Sequence, residues 1–306
     1  TVFIDDDGRA YLFWGNKGLW YGELNDDMIS FKNGYQEVPG FHDPECFGPQ
    51  SMKMNWAKGK EELMVGFEEG PWISKRGDLY YLTYPAGGVP EHMAYSTAPT
   101  VNGPWTYRGR IMDEAVNSFT IHGGEVTYKG HSYMFYHNGK LPNGAGFHRS
   151  AAVEEFKYNP DGTIPFIPFT ENGPAPVGTL NPYERVEAET MAHSWGLKTD
   201  RLPGKDHYVR KIDNGDWIKI REVEFGTEGP KQVTVKTLNF KNPGTVEFYL
   251  NALSDAPFAT VKVDGTADEQ TVEVRSRRPV TGKHDVYILF RGGDEELFDF
   301  DWWQLK

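Results

Sequence analysis

Gly77-Asp78-Leu79-Tyr80-Tyr81-Leu82-Thr83-Tyr84 decides the fold: a turn glycine followed by an unbroken aromatic and aliphatic run too short for a helix. Gly8-Arg9-Ala10-Tyr11-Leu12-Phe13-Trp14 and Gly130-His131-Ser132-Tyr133-Met134-Phe135-Tyr136 repeat the pattern, each with a Tyr three residues beyond the Gly. A second strand and a turn follow each run: Leu19 to Leu24, Met93 to Thr97 before Gly103-Pro104-Trp105, and Ser150 to Tyr158 before Asn159-Pro160-Asp161-Gly162. Asp7-Gly8 and Asp161-Gly162 are hairpin turn chemistry, because Gly supplies the positive φ that a tight turn demands. Repeated antiparallel units of about 50 to 70 residues read as β-propeller blades; a meander of unrelated hairpins is the alternative. Three such units are visible before Pro174-Ala175-Pro176, fewer than the four or more that close a ring, so the ring is expected to be incomplete.

Beyond that Pro-rich stretch the pattern changes to short alternating strands at Val233 to Leu238, Val246 to Leu250, Thr260 to Val263, Gln270 to Val274 and Asp285 to Phe290. Such spacing suits a two-sheet sandwich. The expected organisation is all-β: a partial propeller over 1–174, a linker over 175–182 and a β-sandwich over 183–306.

Bulk properties narrow the partners. A formal net charge of −12 opposes nucleic acid and anionic membrane surfaces within a Debye length of ~8 Å, and no run of about 18 apolar residues offers a membrane span. Nine Trp, 16 Tyr and 19 Phe suit a neutral, polyhydroxylated ligand such as a polysaccharide or oligosaccharide. The single Cys46 excludes an intrachain disulfide and leaves the redox compartment open. Thr1-Val2-Phe3-Ile4 runs straight into a strand without an initiator Met or leader, so the natural start is expected upstream.

For chemistry, Phe67-Glu68-Glu69-Gly70-Pro71-Trp72 places a carboxylate before a rigid turn and a Trp. A poorly hydrated pocket there would favour the protonated acid; a solvated loop is the alternative. Trp72 and Trp14 are candidates for sugar-stacking walls or for the blade core. Asp5, Asp6 and Asp7 read as hairpin residues.

Glu69-Gly70-Pro71-Trp72-Ile73-Ser74-Lys75-Arg76, Gly87-Gly88-Val89-Pro90-Glu91-His92, Tyr136-His137-Asn138-Gly139 and Phe147-His148-Arg149-Ser150, with Tyr158-Asn159-Pro160-Asp161-Gly162-Thr163-Ile164, resemble glycoside hydrolase family 43, in particular its arabinofuranosidase and xylosidase members. The resemblance covers about residues 1 to 170. It implies a five-bladed propeller whose N-terminal blades are absent here, and an inverting mechanism with a base, a pKa-modulating carboxylate and an acid. Glu69 matches the acid, Arg149 a substrate-contacting arginine, and His122 a histidine at the propeller axis beside a water or a cation. His92, in the second motif, is taken as a further substrate contact. The resemblance puts the base in the first blade and the modulator in an Asp-Pro pair just before a segment like Thr1 to Gly8, so both would precede Thr1; Asp43-Pro44 imitates the base's context but lies in the wrong blade. Inversion needs two carboxyls about 6.5–9.5 Å apart, so these residues alone are expected to be inactive and to need the missing segment or a second copy of the chain.

Glu184-Arg185-Val186-Glu187-Ala188-Glu189, Asn214-Gly215-Asp216-Trp217-Ile218-Lys219 and His284-Asp285-Val286-Tyr287, with Leu297-Phe298-Asp299-Phe300-Asp301-Trp302-Trp303, resemble carbohydrate-binding module family 6, a jelly-roll sandwich. The resemblance implies a structural calcium held by Glu187, Glu189 and Asp301; an unmetallated acidic edge is the alternative. The family's sugar cleft is expected to be degenerate, with Lys211 where an aromatic belongs, a shortened loop around Asp264 to Gln270, and Asp299 in place of Asn. The resulting expectation is a secreted or periplasmic hydrolase of plant xylan or arabinoxylan, with arabinose or xylose specificity left open. Its rivals are a noncatalytic carbohydrate-binding protein and a calcium-stabilised adhesion or scaffold module.

Overall fold

A computed structural model describes residues 1–49, 66–201, 207–265, 269–273 and 280–306. The chain divides into two compact units, Thr1–Ala175 and Pro176–Lys306.

Three antiparallel sheets build the first unit. The first orders Val2–Ile4 (β1), Ala10–Trp14 (β2), Trp20–Glu23 (β3) and Gln36–Glu37 (β4) side by side. A single helical turn, Pro44–Phe47 (α1), follows, and Asp43 is its N-cap, accepting the Glu45 N–H at 2.9 Å. The Asp43-Pro44 pair is therefore a capping device. The second sheet comprises Trp72–Arg76 (β5), Leu79–Ala86 (β6), His92–Ala98 (β7) and Thr106–Met112 (β8). The third comprises Gly123–Tyr128 (β9), His131–Asn138 (β10) and Ser150–Phe156 (β11), with β10 central. The three Gly-x-x-Tyr runs are β2, β6 and β10, the second strand of each sheet.

Side-chain alternation stacks these sheets face to face. Tyr80, Leu82 and Tyr84 of β6 enter one core with Tyr11, Phe13 and Tyr21 of the first sheet. Tyr81 points to the other side and joins Met93, Tyr95 and Ile111 in a core with Met134, Tyr136 and Phe156 of the third sheet. The second sheet is thus buried on both faces, whereas the outer sheets each leave one apolar face open: Val2 and Ile4 of β1 are exposed, as are Val126 and Tyr128 of β9 and Phe135 of β10.

Two buried carboxylates tie the stack. Asp5, read from sequence as a hairpin residue, does accept the Asp6 N–H within its turn, but it also receives Lys75 Nζ at 2.9 Å and Tyr80 Oη at 2.5 Å from the second sheet. Burial opposes its ionisation, yet these hydrogen bonds hold its carboxyl below the usual range. Glu125 of β9 accepts hydrogen bonds from the Ser74 hydroxyl and from Thr83 Oγ1, the latter at 2.9 Å, and burial pushes its carboxyl up.

In the second unit Val186–Glu187 (β12), His193–Trp195 (β13), Lys198–Arg201 (β14), His207–Arg210 (β15), Trp217–Glu224 (β16), Gln232–Leu238 (β17), Gly244–Leu250 (β18), Ala259–Val263 (β19), Glu269–Glu273 (β20), Lys283–Gly292 (β21) and Asp299–Leu305 (β22) form two sheets. One runs β14-β15-β22-β17-β20 with β12 beside β22; the other runs β13-β16-β21-β18-β19. Ile218, Ile220, Val246, Phe248, Val286, Ile288 and Phe290 meet Val233, Val235, Phe300 and Trp303 between them, as a sandwich requires. Of the stretch read as linker, Leu180 is already part of this unit: it bridges Val223 in parallel and exchanges backbone hydrogen bonds with Glu222 and Glu224.

Replacing Glu125 by Ala leaves Ser74 and Thr83 facing a cavity and is expected to lower stability by about 2–4 kcal/mol in urea denaturation. The isosteric, uncharged Glu125→Gln should stay within about 1 kcal/mol of the parent.

Candidate active site

Strand direction brings one set of loops to the same end of the three sheets. Trp14 pairs with Trp20, so the β2–β3 turn carrying Asn16 lies at that end. Trp72 opens β5 opposite Thr83, and Ala86 faces His92 across the β6–β7 turn, so Glu69 and Glu91 lie there too. Gly123 pairs with Tyr136 and Asn138 with Ser150, which adds His122 and the β10–β11 loop with Arg149.

Glu69 is the meeting point. Its Oε1 lies 2.9 Å from His122 Nε2, and its Oε2 accepts Asn16 Nδ2 at 2.5 Å. The carboxylate is a quarter exposed, and its nearest partners, Asn16 and His122, are polar. Gly70, at φ +54, is required here: a Cβ would come within 2.7 Å of His122 Nδ1. Trp72 leans on the third sheet, donating from Nε1 to the Glu125 carbonyl at 3.1 Å, with its ring over Gly124, where a Cβ would lie 2.4 Å from Cδ2. Trp14 stacks on Phe31 and meets Tyr35 edge-on, which makes it a member of an aromatic cluster on the first sheet.

Two site residues went unassigned in the sequence although both stood in quoted motifs. Glu91 is buried, accepts the Ile121 N–H at 3.1 Å, and joins Glu69 and His122 in a group whose potential ligand atoms all lie within 4.8 Å of one another. Among the described residues this is the one such group of cation-site size. His92, the other residue of that motif, opens β7 opposite Ala86, at the same end of the sheet. Burial, with the charges of Glu69 and Glu68 adding to it, pushes Glu91 up to about 8.

His137 is the second. Its Nε2 lies 3.0 Å from the Thr120 carbonyl, and its Nδ1 takes the His122 N–H at 3.3 Å, which fixes the neutral tautomer with the proton on Nε2. Burial, followed by the neighbouring Arg149 and His122 charges, lowers it to about 4. Arg149 is exposed and donates to Thr120 Oγ1 at 3.2 Å. Its charge is felt at both Glu91 and His137, which places its guanidinium at the same mouth.

Residues 1–164 match the profile of glycosyl hydrolases family 43, and residues 187–306 match that of the carbohydrate-binding module (family 6). The chain belongs to glycosyl hydrolases family 43. It is 29% identical over 99% of its length to an arabinoxylan arabinofuranohydrolase of Bacillus subtilis and 31% identical over 99% to one of Paenibacillus polymyxa, covering 62% and 50% of those proteins. The chain therefore spans about half to three fifths of the curated relatives it matches. The crystal structure of a family 43 arabinoxylan arabinofuranohydrolase from Bacillus subtilis in complex with cellotetraose superposes with a TM-score of 0.77 at 24% identity, covering 100% of this chain and 66% of that one. This likeness extends the fold assignment across both units.

In the second unit, Glu187 pairs with Trp302, and the Ala188 N–H donates to the Asp301 carbonyl at 2.9 Å, which brings β12 and β22 together. Arg185 grips Glu187 through Nε at 2.7 Å and Nη2 at 2.8 Å, and Lys236 Nζ stands 4.0 Å from Asp301. Glu189 Oε2 is buried without a hydrogen-bond partner, and burial pushes its carboxyl up, with Glu187 and Asp301 adding to the effect. An orphaned carboxylate oxygen is the chemistry a hard cation takes up, but with Arg185 on Glu187 the three acids do not form a group whose ligand atoms all lie within 4.8 Å of one another. In the expected sugar cleft Lys211 is exposed, whereas Asp299 is buried and accepts Asn239 Nδ2 at 2.7 Å. Part of the third feature, residues 266–268, lies outside the described residues.

A ¹³C-detected titration of the glutamate carboxyls is expected to place Glu91 near 8. Because this value is raised in the folded protein, Glu91 costs nothing below about 4.5, and its stabilising neutral form is lost as pH climbs to about 8. Glu91→Gln should flatten the fall in stability across that window, measured by denaturation at successive pH values.

Proposed function

We propose that the chain is the later part of an inverting, exo-acting glycoside hydrolase that removes arabinofuranosyl or xylosyl units from plant arabinoxylan. The observation that carries this reading is Glu69, held between Asn16 and His122 at the mouth where the loops of three sheets converge, in a family 43 chain. Glu69 donates its proton to the glycosidic oxygen as the bond to the anomeric carbon breaks, and Arg149 orients the sugar through its fork of N–H donors. Water attacks the opposite side of the anomeric carbon and gives up a proton to a carboxylate base.

That base is not Glu91. One of its oxygens lies within 4.8 Å of one of those of Glu69, closer than the about 6.5–9.5 Å at which inversion spaces two carboxyls around a water. The base and the pKa-modulating carboxylate are read as coming from sheets outside these 306 residues, completing a five-bladed ring. The open apolar faces of the first and third sheets support this, since exposed faces of that kind call for a covering partner. A water or cation beside His122 belongs to the same reading, as does a secreted or periplasmic location suited to a polymeric plant substrate.

In the second unit Glu187, Glu189 and Asp301 are proposed to hold a structural calcium. The loop cleft around Lys211 and Asp299 is proposed to be degenerate, because Lys211 stands where an aromatic is expected and Asp299 is buried with its Oδ2 held by Asn239.

Glu69→Gln in the full-length polypeptide is expected to lower kcat on arabinoxylan by about 10²–10⁴-fold, with a smaller loss on aryl glycosides whose leaving groups need little protonation. Unchanged activity on both would remove Glu69 as the acid. The 306 residues alone are expected to release neither arabinose nor xylose. Calcium at about 100 times its dissociation constant should raise the stability of the second unit's transition by about 2.7 kcal/mol, an effect absent from Glu189→Gln.

A further inference from the structure

The end of the first two sheets away from the mouth holds a cavity of about 520 Å³. The β1–β2 turn, the start of β6 and the β7–β8 turn meet there, against β3 and the segment before β4. The β2–β3 and β6–β7 turns, which carry the mouth, lie at the other end of the same strands. Tyr80 in the cavity wall and Ala86 at the mouth end are six residues apart in β6, about 20 Å of strand. The cavity is therefore remote from Glu69, and the proton-transfer chemistry leaves it unused.

Strand register assembles its wall. Tyr11 pairs with Glu23, Phe13 with Tyr21 and Tyr21 with Gln36, so Tyr11, Tyr21, Glu23 and Gln36 all leave the first sheet on the face that meets the second. Tyr11 and Tyr21 are 4% and 6% exposed, and Tyr80 closes the wall from β6. Asn33 and Asn102 stand exposed at the rim.

Each charge in this lining is already matched: Asp5 by Lys75 Nζ at 2.9 Å, Arg9 by Asp7 at 2.7 Å, and Glu23 by Lys32 Nζ at 2.9 Å. An ionic ligand would find no unpaired countercharge. Neutral hydrogen-bonding groups, by contrast, are left over. Among the described residues neither the Tyr11 hydroxyl nor the Asn33 side chain makes a hydrogen bond, and the Tyr21 hydroxyl accepts from Gln36 Nε2 while its own proton has no acceptor. A buried phenol with its hydroxyl unpaired, in a cavity within the ~300–1,000 Å³ of small-molecule sites, is a binding group awaiting a partner. Phenol rings beside primary amides match a ring that carries hydroxyls at its rim and C–H groups on its faces.

We propose that this cavity is a second carbohydrate site, which takes a short stretch of neutral saccharide through Tyr11, Tyr21 and Asn33. The site does not depend on Glu69 acting as an acid. Where Glu69 does so act, the site holds a polymer on the protein while the mouth works elsewhere, which raises the local concentration of substrate.

The test titrates xylotriose into the full-length polypeptide labelled with ¹³C-tyrosine, in a Glu69→Gln background that prevents turnover. The Tyr11 and Tyr21 signals are assigned by their loss in Tyr11→Phe and Tyr21→Phe. Both signals are expected to shift saturably, and Tyr11→Phe should weaken the binding read at Tyr21 about tenfold, as loss of one hydrogen bond to a ligand does. Asn102→Trp, which fills the opening from an exposed rim position, should abolish the shifts with the thermal midpoint unchanged. Signals that stay in place at ~10 mM xylotriose, ten times the dissociation constant of a ~1 mM site, overturn the proposal. An equal shift with glycerol at the same concentration also overturns it, by reducing the cavity to general polyol solvation. Tighter binding of a glucuronate-bearing xylo-oligosaccharide than of xylotriose overturns the neutral assignment. Saturable shifts in a polypeptide whose Glu69 parent does not hydrolyse arabinoxylan uphold this site and remove the hydrolase reading alone.

Discussion

Burial of the second sheet on both faces is the constraint on which the rest of the first unit depends. Successive side chains of β6 point to opposite sides, so Tyr80, Leu82 and Tyr84 pack against the first sheet while Tyr81 packs against the third. Each large side chain removed from water is worth about 1.5–3 kcal/mol before entropy is counted, and a strand rich in Tyr and Leu supplies that on two faces at once. Asp5 and Glu125 add polar ties across the same two interfaces, where flat apolar faces alone would allow sliding. The stack fixes how far one sheet end stands from the next, and only then do loop residues separated by more than a hundred positions meet.

The site inherits its geometry from that stack. Asn16 comes from the first sheet, Glu69 and Glu91 from the second, and His122, His137 and Arg149 from the third or the segment leading to it. His137 locks the backbone on either side of Ile121, which aims His122, and His122 with Asn16 fixes the Glu69 carboxylate. A catalytic group must hold its place to about 0.5 Å. Here both restraints on Glu69 cross between sheets, so core packing and site geometry are not separable.

Much of the fold was legible because it is periodic. The Gly-x-x-Tyr runs mark β2, β6 and β10, and strands of the sandwich such as β17 and β18 follow from alternation and turn residues. Glu69, His122 and Arg149 were reached through motif resemblance. Glu91 and His137 were passed over because their role comes from burial and from hydrogen bonds to the backbone around Ile121, neither of which leaves a mark in the residue type. Asp5 was read as a turn residue for the same reason: its partners Lys75 and Tyr80 lie 70 and 75 positions away. Trp14 stacks on Phe31, a partner outside its own strand that no pattern in the sequence marks.

The two carboxyls at the mouth constrain what can complete the reaction. Glu91 is neutral below about 8, so it spares Glu69 a like charge at close range and cannot serve as an ionised base at lower pH. On the hydrolase reading the water-activating carboxylate must then stand across the sugar from Glu69, beyond the groups supplied by the three sheets described. The ends of stacked sheets converge on the mouth, and the stack can be extended only where an apolar face is still open. Those faces are the Val2–Ile4 side of the first sheet and the Val126–Phe135 side of the third. On that reading, the surfaces that call for covering on hydrophobic grounds are also the ones through which a further carboxylate can approach the mouth.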